Sequence, residues 1–176
     1  MESINSDAVE LAVDRIFEAW QQGRHVFVFG NGGSAYAASH YVTDLVKTAA
    51  VDGRPRLKAM SLVDNYGLTT AIGNDVTYDE IFQYPLQTYA TPGDVAIAIS
   101  ASGNSPNVLK ACRWAGEHGL TVIGVTGFAG GKLAGLCRVH IHIPSDNYGL
   151  VEDLQLAVGH MLSQALKSRV SAQEAP

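Results

Sequence analysis

Three short runs of the chain, HVFVFG (25–30), DVAIAIS (94–100) and TVIGVT (121–126), are almost wholly apolar and rich in β-branched residues. Each ends where glycine, serine or threonine opens a small-residue loop. Such runs, without polar alternation, fit strands buried on both faces. LKAMSLV (57–63) and RVHIHIP (138–144) supply two further strands. Between the strands lie helical patterns. DAVELAVDRIFEAWQQG (7–23) sets Val9, Leu11, Ala12, Ile16, Phe17 and Trp20 in a stripe, with Ser6 or Asp7 as its cap. Helices are expected over 34–48, near 66–73, over roughly 77–90 and over 150–169. SPNVLKACRWAGEHG (105–119) has Pro106 in its first turn and Gly119 at its end. Strands alternating with helices predict an α/β fold, with a central parallel sheet covered on both faces. With 176 residues and no internal linker, one domain over residues 1–170 is expected, and SAQEAP (171–176) as a frayed tail.

Charge and composition narrow the function. The net charge is −5 with no run of Lys or Arg, which weighs against a duplex nucleic-acid partner. No apolar run is long enough to span a membrane, and the polar start MESINSDAVE does not read as a signal peptide. Cys112 and Cys137 form neither a CxxC pair nor a disulfide framework, which fits a cytoplasmic location.

Ligands of open α/β sheets sit beyond the carboxyl ends of the strands. Three such ends carry small polar loops: GNGGS, SASGNS and TGFAGG. In SASGNS, Ser100, Ser102 and Ser105 offer hydroxyls, Gly103 permits close approach, and a helix N-terminus follows. This suits a phosphate, although an ordinary turn capped by Ser105 accounts for the same residues. No GxxxxGK[ST] and no GxGxxG is present, so a nucleotide cofactor is not expected. His40 and Asp44 are one helical turn apart, and Glu152 and His160 lie nearly on one face two turns apart. Two histidines and two carboxylates suit acid–base work or Zn²⁺. A surface ion pair and a hydrogen-bonded core histidine remain the plain alternatives. His140 and His142 share one face of a strand, either as ligands or as an exposed edge.

GNGGS after the first strand, IGND (72–75), SASGNS and TGFAGGKLAG (126–135) together resemble the sugar isomerase (SIS) domain family, nearest to its phosphoheptose isomerase branch. The resemblance covers roughly residues 24–165. It implies a flavodoxin-like sandwich, a homotetramer with active sites at subunit interfaces, and isomerisation of sedoheptulose 7-phosphate through an enediol. It implies that Ser100, Ala101, Ser102, Asn104 and Ser105 surround the sugar phosphate. Asn31, Gly32, Gly33, Ser34, Asn74, Asp75 and Glu152 would contact the sugar chain. Asp44, His160 and Glu152 would be catalytic, and His40, Asp44, Glu152 and His160 would hold one Zn²⁺ per site. The family usually has glutamate at position 44 and glutamine at 152. The shorter Asp44 withdraws its carboxylate by about 1–1.5 Å, a displacement that can cost about a hundredfold in rate. Ala101 stands where the heptose enzymes often have threonine. A non-catalytic phosphosugar-binding or assembly protein, and an isomerase of another ketose phosphate, are the alternative readings.

Overall fold

The computed structural model describes residues 4–173. Strands β1 (His25–Gly30), β2 (Lys58–Ser61), β3 (Val95–Ser100), β4 (Thr121–Thr126) and β5 (Val139–His142) form one sheet in the order β2-β1-β3-β4-β5. All four pairings are parallel. Helices α1 (Ser6–Gln21), α2 (Gly33–Thr43) and α6 (Tyr148–Ala172) cover one face, and α3 (Tyr66–Asp75), α4 (Gln83–Tyr89) and α5 (Pro106–Glu117) cover the other. The expected α/β sandwich is therefore the fold.

The pleat sorts the three central strands, β1, β3 and β4, between two cores. Val26, Val28, Ile97, Ile99 and Ile123 pack with Ala12, Ala37 and Val158 on the α1–α2–α6 side. Phe27, Phe29, Ala96, Ala98 and Val122 pack with Ile72, Leu86 and Val108 on the other. This two-sided burial is why the strands read as continuous apolar runs.

Several boundaries differ from expectation. Asn5, rather than Ser6 or Asp7, caps α1, accepting from the Asp7 and Ala8 amides. The helix expected over 34–48 is α-helical only to Thr43; Asp44–Thr48 continue it as a π-helix. The helix expected over 77–90 divides into a 3₁₀ turn, Tyr78–Glu80, and α4, because Thr77 is extended (φ −168°) and caps the turn with its own hydroxyl. Ser171 and Ala172, expected in the tail, belong to the last turn of α6; residues 174–176 lie outside the described residues. No helix among the described residues is long and apolar enough to cross a membrane. Cys112 and Cys137 are both free thiols.

Candidate active site

From β1 the chain runs through α2 to the edge strand β2; from β3 it runs through α5 the opposite way, to β4. This divergence opens a crevice at the carboxyl ends of β1 and β3, and a cavity of about 210 Å³ lies there. Ser100, Ala101, Ser102 and Ser105 form one wall. Asn31, Gly32, Gly33 and Ser34 form the facing one, and Tyr148 and Glu152 from the start of α6 close it. Ser105 holds the N-cap position of α5, yet its hydroxyl makes no capping bond and lies 3.5 Å from that of Ser100. Gly32 at the head of α2 brings no side-chain cap either. Two helix N-termini, neither capped by the side chain at its N-cap position, therefore meet hydroxyls in one cavity, an arrangement suited to an anion.

A second loop braces the serine loop. Gly127 N donates to Ala101 O (2.8 Å), Leu133 N to Gly103 O (3.0 Å) and Lys132 N to Asn104 Oδ1 (3.1 Å). Asn104 thus holds the loops together and does not line the cavity. The Asn31 amide exchanges hydrogen bonds with Asn107 (2.8 and 2.9 Å), which links β1 to α5. The Ser34 hydroxyl is buried and donates to Gln155 Oε1. Asn74 and Asp75 bond each other at the exposed end of α3 and lie outside this cavity. Tyr148 had no motif to mark it; the only signal was an aromatic residue opening the helix after the last strand.

The histidine cluster forms further along the same two helices. Gly159 has no side chain, so the Tyr41 ring of α2 packs directly onto α6, and its hydroxyl donates to Gln155 O (2.6 Å). That contact fixes the helices beside each other where Asp44 faces His160. Asp44 Oδ2 accepts from His160 Nδ1 at 2.7 Å, and Oδ1 accepts from the Thr48 hydroxyl at 2.9 Å. The shorter carboxylate therefore reaches its histidine. His40 Nε2 lies 3.5 Å from Oδ2 with no hydrogen-bond partner, although the atom is buried. The ligand atoms of His40, Asp44 and His160 all lie within 4.8 Å of one another.

Glu152 is not in this cluster, contrary to the expected four-residue set. Its carboxylate rests against Gly33 at the head of α2, where a Cβ on Gly33 would collide with it. The remaining donors still fit a divalent ion: the orphaned His40 nitrogen, one carboxylate and a second imidazole are a chemically suitable partial set for Zn²⁺. A carboxylate with both oxygens engaged is held in one orientation. Thr48→Val should therefore lower kcat by about tenfold, the loss of one hydrogen bond to a charged group, while Thr48→Ser retains activity. Steady-state rates of the two variants check this.

His140 and His142 are half-buried, with rings 5.8 Å apart, and are neither an open edge nor part of the cluster. His140 Nε2 bonds the Thr126 hydroxyl and His142 Nε2 bonds Phe128 O, each at 2.7 Å. Burial, with His142 alongside, holds His140 below the ordinary imidazole range.

The SIS domain family matches residues 1–127. A phosphoheptose isomerase of Nitratidesulfovibrio vulgaris (strain Miyazaki F) is 39% identical over 161 residues, covering 91% of this chain and 76% of that protein. One from Rhodospirillum rubrum is 40% identical over 155 residues, covering 88% and 82%. Among solved structures, the phosphoheptose isomerase of Neisseria gonorrhoeae superposes with a TM-score of 0.86 at 28% identity, covering 93% of this chain and 86% of that one.

Proposed function

This chain belongs to the SIS domain family and is a phosphosugar isomerase, and from that premise we propose how its own residues isomerise sedoheptulose 7-phosphate to glycero-manno-heptose 7-phosphate. The observation that carries the reading is the pairing of an anion cradle with a separate acid–base cluster on the same two helices.

The phosphate sits among Ser100, Ser102 and Ser105, at the amino end of α5. The open-chain ketose then gives up a proton from C1, and its electrons form the C1–C2 double bond while the C2 oxygen takes the charge. A proton delivered to C2, with the O1 proton given up and the C2 oxygen taking one in its place, leaves the aldehyde beside a C2 hydroxyl. Asp44 and His160 act as one unit in these transfers. An ionised carboxylate only accepts, so it holds the Nδ1 proton of His160 and leaves Nε2 for the substrate. Glu152 stands beside the sugar and serves the neighbouring proton or oxygen.

Cradle and cluster do not serve the same substrate within one chain. His160 lies eight residues beyond Glu152 on α6, about 12 Å along the axis. The buried layer of Tyr41, Gln155 and Gly159 fills the turns between. A substrate in the cradle is therefore served by His40, Asp44 and His160 across a subunit boundary, and Glu152 of the partner subunit completes each cluster. This supports an oligomer with interfacial active sites, a homotetramer as in the family resemblance. Exposed Met161, next to His160, offers apolar surface for that contact. His40, Asp44, His160 and that glutamate would hold Zn²⁺, which supplies a Lewis acid for the carbonyl oxygen when bound. The two free thiols fit a cytoplasmic setting.

Incubation with sedoheptulose 7-phosphate in D₂O, with and without Zn²⁺ and followed by NMR, tests the reading. The expected result is an aldose product with deuterium at C2. Neither product nor exchange under either condition would leave a phosphosugar-binding protein in its place.

A further inference from the structure

Phe128 is the one non-glycine residue among the described residues with a positive φ, at 48°. An aromatic side chain is disfavoured there, and such a conformation persists only where its surroundings over-determine it. Three contacts do so. The Phe128 amide donates to Ser145 O at 2.7 Å. Its carbonyl accepts from His142 Nε2 at 2.7 Å. Its ring meets that of Tyr148, with centroids 4.6 Å apart. Next to it, Gly127 is tied to Ala101 in the serine loop. The strained residue thus joins the phosphate loop, the edge strand β5 and the first residue of α6.

Tyr148 is what this bracket presents to the site. It lines the cavity with Glu152 and the serines, and is 58% exposed. Its hydroxyl has no hydrogen-bond partner among the described residues, so the phenol remains available to a ligand. With the serines holding the phosphate end, the cavity's other end belongs to the polyol chain. A ring face with a free hydroxyl suits C–H and O–H groups there, whereas a bare phosphate held among the serines gives the ring face nothing to pack against.

We propose that Tyr148 is a specificity-determining residue that contacts the sugar chain, and that Phe128 and His142 are positioning residues that aim it. The proposal rests on the phosphosugar reading of this cavity. It separates the two ends of the ligand. Tyr148 discriminates a phosphosugar from inorganic phosphate, and the serine loop does not.

Calorimetric titration of the intact protein with sedoheptulose 7-phosphate and with inorganic phosphate reads this without depending on turnover. Tyr148→Ala should weaken sugar phosphate binding by about tenfold, the loss of one hydrogen bond and a ring contact, and leave phosphate binding unchanged. His142→Leu should act in the same direction by a smaller factor. His142→Gln, whose amide can still donate to Phe128 O, should restore the wild-type ratio. An unchanged ratio in Tyr148→Ala overturns the proposal. So does a parallel loss of both ligands, which would mark a collapse of the loop. Wild-type protein that binds neither ligand overturns the cavity's assignment as well.

Discussion

Asp44→Asn should lower kcat for sedoheptulose 7-phosphate by about a thousandfold, the middle of the range for losing a general acid–base group. The substitution is nearly isosteric, and an amide oxygen can still accept from Thr48, so the fold and the π-helical turn should persist. What changes is the side toward His160. An amide nitrogen there is a donor facing Nδ1, which must then be the unprotonated nitrogen. The imidazole would present the wrong tautomer to the substrate, and the negative charge shared by the cluster would be gone. Binding of inorganic phosphate should stay at the wild-type value, because the serine loop lies at the other end of α2. A kcat within tenfold of wild type would remove Asp44 from the proton-transfer unit.

Gly103→Ala should do the most damage to the cradle. Gly103 has φ +64°, and a Cβ there would drive into the Gly130 carbonyl and the Gly131 Cα. These are backbone atoms, so no side chain can rotate away. Left-handed strain and overpacking together should cost about 2–4 kcal/mol, seen as a Tm lower by about 5–15 °C. The Gly127–Ala101 and Leu133–Gly103 bonds would shift with it, and phosphate affinity should fall by more than tenfold. Thermal melting followed by phosphate titration below the transition checks both effects. A variant that melts normally and binds phosphate normally would falsify the interlocked-loop account.

The two halves of the site were not equally legible in the sequence. The serine loop was readable because each property that matters there is local: hydroxyls, a flexible glycine, and a proline that opens a helix. The same holds for His40 and Asp44, which share one turn. Tyr148 escaped notice because a lone aromatic at a helix start is ambiguous until the cavity beside it exists. Asn31 and Asn104 are expected to contact the ligand alike, but Asn104 is taken up by Lys132 N, while Asn31 lines the cavity with its amide bonded to Asn107. A side chain's polarity is written in the sequence, whereas its partner is not. Phe128 shows the same limit for the backbone, since a positive φ at phenylalanine has no local cause and comes from contacts at residues 142, 145 and 148.

By itself the sequence determined the layers and the donor types. Continuous apolar runs permit only strands buried between helices, and small polar loops at their ends can serve only the carboxyl edge of the sheet. Tertiary structure alone decided how the four acid–base candidates divide. Helical periodicity gives the angle at which Glu152 and His160 project, and both project toward α2. What stands opposite each is set by how α2 lies along α6, and the Tyr41–Gly159 contact fixes that alignment. It places His160 against Asp44 and leaves Glu152, two turns earlier, at the head of α2 in the wall of the cradle.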